Sequence, residues 1–250
     1  MILKLLIPFI GTTLGSACVF LVHKEKLDER IEKAFIGFAS GVMVAASFFS
    51  LLLPSLDSGD ITMAVIGLLS GMGFLLLMDS LLPHLHLHTD EPEGLKTKKR
   101  LSKVFMMFMA VTLHNVPEGA AAGIAMVSGT DIISESASLA LLIGIAIQNF
   151  PEGAIVALPL RTSGMSRFKA FLYGTATGAV EPMAALLMFA IAPMITPFMP
   201  LALSFAAGAM LYVVIEELVP EASVGKHSNI ATVAFALGLA LMMVLDVTLS

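Results

Sequence analysis

The sequence predicts an all-α polytopic membrane protein with eight transmembrane helices in a single transmembrane domain over residues 1–250. Three observations lead to this fold class: an apolar composition, eight long apolar runs, and basic residues confined to alternate loops. Hydrophobic residues make up 57% of the chain and charged residues 13%, and the mean hydropathy is +0.92. A soluble domain of this size could not bury so much apolar surface, so lipid must cover part of it.

Each apolar run is long enough for a helix to cross the bilayer, which takes about 20 residues. The first run contains Lys4 and an apolar stretch, as a secretory signal does, but no small-residue cleavage site with a polar start follows it. We therefore expect it to remain as the first helix. The runs, numbered as predicted spans 1 to 8, cover residues 2–22, 35–56, 61–83, 104–127, 137–160, 169–192, 199–221 and 229–249.

Basic residues alternate strongly between the loops. The loops after predicted spans 1, 3, 5 and 7 hold 13 of the 14 Lys and Arg residues, the exception being Lys4, and the other loops hold none. By the positive-inside rule, the odd-numbered loops face the cytoplasm and both termini face outside. The net charge of −5 and the confinement of basic clusters to short loops argue against nucleic-acid binding.

A weak internal repeat relates predicted spans 1–3 to spans 6–8. Since five spans separate the partners, the two units run in opposite directions, as inverted repeats around spans 4 and 5. The alternative is that small residues recur only because they favour helix packing. The matching segments are 11–15 with 174–178, 38–43 with 205–210, and the pair Gly71 and Asp79 with the pair Gly238 and Asp246.

Predicted spans 4 and 5 carry a second, more specific repeat. Residues 114–120 read HNVPEGA and residues 148–154 read QNFPEGA, with five identical positions at an offset of 34. Pro117 and Pro151 each kink a helix and free a carbonyl group one turn earlier. Free carbonyls at membrane depth are tolerated where they face a cavity, so we expect the two motifs to face each other across one.

Acidic residues lie within the predicted spans, whereas the only basic residues there, Lys4 and Lys169, are at the ends of spans 1 and 6. Ionisable groups in a span are costly, by about 2.5–3.5 kcal/mol each on translocon scales. Either several of these acids are protonated, or a cation binds among them. Glu216, Glu217 and Asp246 either line a pathway or lie near the membrane interfaces. The acids are Asp79, Glu118, Glu152, Glu181, Glu216, Glu217 and Asp246.

The spacing of the motif residues favours a metal ion as the cation. His114 and Glu118 are four residues apart and share a helix face, and Gln148 and Glu152 repeat that spacing. Imidazole with carboxylate favours Zn²⁺, Fe²⁺ or Mn²⁺ over Ca²⁺ and Mg²⁺. No thiolate is added, so binding should be exchangeable, and two bridging carboxylates allow two adjacent ions.

These features together resemble the ZIP (Zrt/Irt-like) metal transporters, and the motif of predicted span 5 is similar to that of the GufA-like branch. The resemblance covers essentially the whole chain. It implies a binuclear site midway along the pathway. Carried over by motif, one metal takes His114, Glu118, Gln148 and Glu152; the second takes Asn115, Glu118, Asn149, Glu152 and Glu181. By position in the family, further pathway residues are Met43, Asp57, Glu217 and Asp246.

One departure from the family bears on metal choice. Many members carry two histidines and an additional acid on the fifth helix, where this chain has Gln148, Asn149 and Glu152. We therefore expect a broader range of divalent ions, with zinc first and iron, manganese and cadmium as further cargoes. Three alternating histidines, at positions 84, 86 and 88, either hold metal loosely in a cytoplasmic loop or are simply solvated.

The function expected is import of divalent metal ions into the cytoplasm by a multi-pass protein of the cell membrane, the inner or plasma membrane of a prokaryote. The ions are substrates, so neither a catalytic residue nor a resident cofactor is expected. The main alternative is an intramembrane metal-dependent hydrolase using His114, Glu118 and Glu152, although the His-Glu-x-x-His signature is absent. A third is a cation-coupled carrier of organic substrates. Besides lipid and metal ions, a second copy in a homodimer is an open alternative.

Overall fold

The computed structural model describes residues 2–22, 28–58, 60–83, 94, 103–127, 132–225 and 228–249, and it contains helices and no strand within those ranges. The helices are α1 (Leu3–Leu21), α2 (Glu29–Asp57), α3 (Ile61–Leu81), α4 (Lys103–Met126), α5 (Glu135–Thr162), α6 (Arg167–Gly178 and Val180–Ala190), α7 (Ala192–Ser223) and α8 (Ile230–Leu249). Six of them, all except α4 and α6, are long and apolar enough to cross a membrane.

The two remaining helices coincide with predicted spans 4 and 6 but differ in character. Helix α4 is 24 residues long, and the polar residues His114, Asn115 and Glu118 interrupt its apolar run. Helix α6 is interrupted at Ala179, where the chain makes a tighter turn with the N–H of Ala179 donating to the carbonyl of Ala176 at 3.2 Å. Both departures lie next to the polar residues predicted to bind metal.

Two helices, α2 and α7, begin more than a full turn before the predicted start of their spans. Helix α2 starts at Glu29 rather than at residue 35 because the Asp28 side chain accepts the N–H of Arg30 at 2.9 Å and caps the helix. Helix α7 starts at Ala192 rather than at residue 199, and its first turns contain a 3₁₀ segment at Thr196–Phe198. In both cases a polar or proline-containing turn extends an apolar span, which hydropathy alone does not detect.

The helices pack as four principal pairs: α1 on α5, α4 on α6, α2 on α8 and α3 on α7. Glycines sit at the closest points of these pairs, where an added methyl group would overlap the opposite backbone. Such contacts let two helix axes approach closely. The contacts are Gly11 on Ala146, Gly41 on Phe235, Gly71 on Phe205, Gly119 on Glu181, Gly208 on Leu68 and Gly238 on Phe38.

Helices α2 and α7 each contain a stretch of wider π-helix in the second half of the helix. These stretches span Ala46–Leu52 in α2 and Val214–Leu218 in α7. A π-helical turn marks an inserted residue and is frequent at functional sites. The α7 stretch contains Glu216 and Glu217, so the irregular turn coincides with two acidic residues of the span.

Burial divides the helices into inner and outer ones. In the apolar segments of α2 and α5, 67% of residues are buried, against 22% in α3 and 17% in α8. The polar motif of α5 therefore lies at the centre of the molecule, while α3 and α8 present most of their surface outward.

Candidate metal centre

The predicted ligands of α4, α5 and α6 come together in one region. The side-chain amide of Gln148 donates from Nε2 to Oε1 of Glu118 at 2.9 Å, which links α5 to α4. The amide of Asn149 donates from Nδ2 to Oε2 of Glu181 at 2.8 Å, which links α5 to α6. The duplicated motif and the acid of α6 thus form one connected polar cluster inside the helices.

This cluster is closed to solvent. The His114 side chain is 11% exposed, and Asn115 fixes its amide by donating to the carbonyl of Thr177 at 3.1 Å. Burying so many polar groups is unfavourable unless each is hydrogen-bonded or binds an ion. The residues that are at most 1% exposed are Asn115, Glu118, Gln148, Asn149 and Glu181.

The glycine of each motif allows the close approach that builds the cluster. A side chain at Gly119 would overlap the backbone of Glu181, and one at Gly153 would overlap the carbonyl of Thr12. The two glycines occupy the same place in the motifs of α4 and α5, one residue after Glu118 and Glu152. The sequence Pro-Glu-Gly therefore couples a carboxylate to a helix contact in both helices.

Five of the seven predicted ligands each present one buried oxygen that lacks a hydrogen-bond donor among the described residues. Two are carboxylate oxygens and three are amide oxygens. An acceptor without a donor inside a protein costs about 1–3 kcal/mol, and a cation removes that cost by accepting their lone pairs. These atoms are Asn115 Oδ1, Glu118 Oε2, Gln148 Oε1, Asn149 Oδ1 and Glu152 Oε1.

Glu181, in contrast, has both oxygens engaged. Its Oε2 accepts from Asn149, and its Oε1 accepts the hydroxyl of Thr12 at 3.0 Å. Thr12 is 1% exposed and belongs to the Gly-Thr-Thr-Leu-Gly segment of α1. Helix α1 therefore contributes a residue that orients one predicted ligand, a role that the sequence reasoning did not assign.

His114 lies against Glu217 of α7, with its Nε2 facing Oε2 of the carboxyl group. His114, Glu152, Glu217 and Glu221 line one small cavity of about 40 Å³, together with apolar side chains that include Ile36. A cavity of this size accommodates a water molecule or a bare ion. The cavity connects the ligands of α4 and α5 to the end of α7.

Glu221 is a cavity residue that the sequence reasoning missed. It follows Glu217 by four residues, so both carboxylates lie on the same side of α7. That spacing could have identified Glu221 as a cavity residue. However, residue 221 is the last residue of predicted span 7, a position at which an acid is commonly exposed.

Within the described residues, no three His, Cys, Asp or Glu side chains are arranged to hold a metal ion. Several of these groups are already engaged: Glu118 accepts from Gln148, Glu181 accepts from Thr12, and His114 lies against Glu217. A bound ion would exchange these bonds for its own and draw on amide oxygens as well. Such a site favours weak, reversible binding over tight structural binding.

Of the further pathway residues predicted, Glu217 is the one that a described contact joins to the cluster. Met43 is buried in the core of α2, and Asp57 is exposed at the end of that helix. Asp246 accepts the hydroxyl of Ser50 at 2.7 Å, linking α8 to α2. Asp79 is 8% exposed and accepts the hydroxyl of Tyr212 at 3.2 Å between α3 and α7. The three histidines of the loop lie outside the described residues.

Comparison with known proteins identifies a family. A family model described as a ZIP zinc transporter matches residues 84–246. Zinc transporter ZIPB of Bordetella bronchiseptica is 38% identical over 96% of this chain and 78% of its own. Zinc transporter GufA of Myxococcus xanthus is 33% identical over 96% of this chain and 95% of its own. Zinc transporter ZIP11 of Homo sapiens is 32% identical over 95% of this chain and 94% of its own.

Proposed function

The chain belongs to the ZIP family of zinc transporters, and from that premise we propose that it carries divalent metal ions, zinc first, across a membrane into the cytoplasm. One observation of the structure supports this most directly: five buried oxygens of Asn115, Glu118, Gln148, Asn149 and Glu152 lack donors among the described residues. A cation that enters and leaves the site would bind these oxygens and take the place of the missing donors.

Two ions bind next to each other in this proposal. One takes His114, Glu118, Gln148 and Glu152, and the other takes Asn115, Glu118, Asn149, Glu152 and Glu181. Support comes from the donor chemistry, because a carboxylate can offer one oxygen to each of two ions, and Glu118 and Glu152 each already present one oxygen without a donor. The mixture of one imidazole with amides and carboxylates suits several divalent metals, so iron, manganese and cadmium are further cargoes.

Release toward the cytoplasm proceeds along α7 in the proposal. The cavity beside His114 and Glu152 extends to Glu217 and Glu221 and is also lined by Met107 and Ile36. Met107 follows the basic loop before α4, and Ile36 follows the basic loop before α2, so the cavity extends toward the side that the positive-inside rule assigns to the cytoplasm. Glu217 and Glu221 would receive the ion in turn.

The proposed topology has eight transmembrane spans with both termini outside and with α1–α3 and α6–α8 as inverted repeats. The pairing of helices supports it, because exchanging repeat partners converts the pair α1–α5 into α6–α4 and the pair α2–α8 into α7–α3. The π-helical stretches of α2 and α7 also fall at matching places. Independent small-residue packing would not produce this correspondence.

The remaining parts of the proposal concern setting and assembly. The chain acts as one transmembrane domain over residues 1–250 in the cell membrane of a prokaryote, and a homodimer is the assembly to test. Six helices that are long and apolar enough to span support the membrane setting. The hydrolase alternative is set aside because the relatives that match over nearly the whole chain are named as transporters.

Transport by the purified chain tests the proposal. The chain is reconstituted in proteoliposomes that enclose a zinc-sensitive dye, and zinc is added outside. We expect saturable uptake that competing Cd²⁺, Mn²⁺ or Fe²⁺ reduces and that protein-free liposomes lack. Absence of uptake of every one of these ions by a folded, correctly inserted chain would overturn the proposal.

A further inference from the structure

A second cavity, separate from the metal centre, lies where the first turns of α2, the last turns of α7 and the first turns of α8 meet. Its volume is about 320 Å³, within the range of small-ligand sites. Lys33 lines it, and that residue is only 6% exposed. Lysine is almost never buried so fully in a protein without a specific partner, and the cavity also contains the hydroxyl groups of Ser228 and Thr232.

Three polar side chains around this cavity can donate hydrogen bonds, those of Lys33, Ser228 and Thr232, whereas the hydroxyls of Ser40 and Ser223 donate to carbonyl groups of their own helices. The Lys33 ammonium has three N–H donors, and the Glu29 carboxylate pairs with it at 3.0 Å. Ser228 accepts the N–H of Ile230 with its oxygen at 3.1 Å, which leaves its own hydroxyl hydrogen to point elsewhere. Because the hydroxyl of Thr232 can rotate, it can donate as well.

The first turn of α8 contributes further hydrogen-bond donors to the cavity. The first four N–H groups of a helix have no partner within the helix. Ser228 accepts that of Ile230 and Asn229 accepts that of Val233. The N–H groups of Ala231 and Thr232 have no acceptor among the described residues, and both residues line the cavity. Helix N-termini with this arrangement stabilise anions.

The turn after α7 lies against the ion pair of Lys33. Gly225 has φ of +81°, a left-handed conformation that favours glycine. A side chain there would overlap the Glu29 carboxylate and reach within 3.7 Å of the Lys33 ammonium. Glycine therefore lets the backbone of this turn approach the ion pair closely.

We propose that this cavity binds a phosphate group, with Lys33, the hydroxyls of Ser228 and Thr232 and the first N–H groups of α8 as its donors. Two sources share that chemistry: the headgroup of an anionic phospholipid and free inorganic phosphate. The lipid source fits the location, because Lys33 is the fifth residue of a membrane-spanning candidate and Phe235 gives the cavity an apolar wall. Basic pockets between helices at a membrane boundary bind such headgroups.

Four variants separate this site from a merely structural ion pair. Lys33→Met should weaken binding about tenfold, since it removes a charge-assisted hydrogen bond. Thr232→Val, which keeps the side-chain shape, should weaken binding about threefold. Glu29→Gln should bind at least as tightly as the native chain, because it removes a competing carboxylate. Lys4→Met is the matched control, since Lys4 also pairs with a glutamate, Glu135, at 2.5 Å but lines no such cavity.

The experiment uses the full chain in neutral detergent and in nanodiscs. Native mass spectrometry measures retention of dioleoylphosphatidylglycerol against dioleoylphosphatidylcholine, and calorimetry measures binding of inorganic phosphate alone. Phosphatidylglycerol retention with the expected variant order supports the lipid source, and phosphate binding with the same order but no lipid preference supports the free anion. Binding of neither ligand, binding that Thr232→Val leaves unchanged, or binding that Glu29→Gln weakens would overturn the proposal, whether or not Lys33→Met folds.

Discussion

Glu152 is the carboxylate whose loss tests the metal centre most cleanly, because one of its oxygens is buried without a donor and it also lines the cavity toward α7. Glu152→Gln keeps the shape and removes the charge. We expect zinc uptake into proteoliposomes to fall at least about tenfold, as is typical when metal-site residues are altered. Glu118→Ala should behave in the same way.

The control for these variants is Glu216→Gln. Glu216 is exposed on α7, beside the buried Glu217. The Glu216→Gln variant should take up zinc at a rate near that of the native chain. Near-native uptake by either the Glu152 or the Glu118 variant, with normal amounts of inserted protein, would disprove the two-ion site.

His114 supplies the imidazole of the cluster and should influence selection among metals. We expect His114→Ala to reduce zinc transport more than manganese transport, because Mn²⁺ depends less on nitrogen ligands than Zn²⁺ does. Uptake of each ion is measured separately at several concentrations. Equal losses for the two ions would mean that His114 acts through its contact with Glu217 and the packing of α7 rather than as a ligand.

Thr12 should matter because it orients Glu181, not because it binds metal. Thr12→Val removes the hydroxyl that donates to Glu181 at 3.0 Å. We expect the KM for zinc to rise by about tenfold or more, the value of one hydrogen bond to a charged group. Thr13→Val is the matched control, since the Thr13 hydroxyl bonds to Phe9 within its own helix. If both variants raise KM equally, the effect belongs to α1 packing.

At the scale of single residues, the sequence predicted site residues where the residue pattern was unusual, and it did not single out residues of a common type. A repeated Pro-Glu-Gly with flanking amides identified the residues that the structure gathers around Glu118 and Glu181. Thr12 could not be recognised, because a threonine in an apolar helix most often bonds to its own backbone, as Thr13 does.

At the scale of the helix, the contact between α3 and α7 provides a matched pair of glycines. A methyl group at Gly71 would overlap the carbonyl of Phe205, whereas nothing lies within 4 Å of the position it would take at Gly73. Gly71→Ala should therefore lower the unfolding temperature and cost about 1–3 kcal/mol, as overpacking does. Gly73→Ala should be neutral or slightly stabilising, because alanine favours helix.

Thermal unfolding in detergent, monitored by circular dichroism, measures both variants. Equal unfolding temperatures of the two variants would mean that the stability of the α3–α7 contact does not depend on the absence of a side chain at Gly71.

Helix positions were predictable because each apolar run is close to the membrane thickness, but helix ends and irregular turns were not. The start of α2 depends on a cap by Asp28, which lies outside the apolar run. The break at Ala179 in α6 and the π-helical stretches depend on packing between helices. A hydropathy pattern does not depend on such contacts, so it predicted eight uninterrupted helices.

For the whole molecule, we expect the metal centre to open alternately to the two sides. Single cysteines near Asp57, in a Cys18→Ser background, should change reactivity toward an external impermeant reagent when metal is added. Cysteines within residues 161–169 should respond in the opposite sense from inside. Labelling rates with and without zinc provide the measurement. If neither set responds while uptake stays saturable, a channel-like path with bound ions becomes the better account.

The arrangement of the helices relative to one another was only partly accessible from the sequence. The repeat of spans 1–3 in spans 6–8 stays a prediction: two of its matched glycines, Gly71 and Gly208, meet the backbone of another helix, whereas Gly174 and Gly178 meet side chains. It did not indicate which helices pair, because pairing across the repeats, such as α2 with α8, is a property of the assembled molecule.

The polar motif in the middle of α4 has a consequence for biosynthesis. This helix leaves the ribosome before α5 and α6, yet Gln148 and the Thr177 carbonyl supply the partners of its Glu118 and Asn115. Alone in lipid, α4 would expose an imidazole, an amide and a carboxylate without partners, which the bilayer core disfavours. We therefore expect α4 to enter the bilayer only together with the helices that follow it, so chains truncated after α4 should leave that segment accessible to proteases.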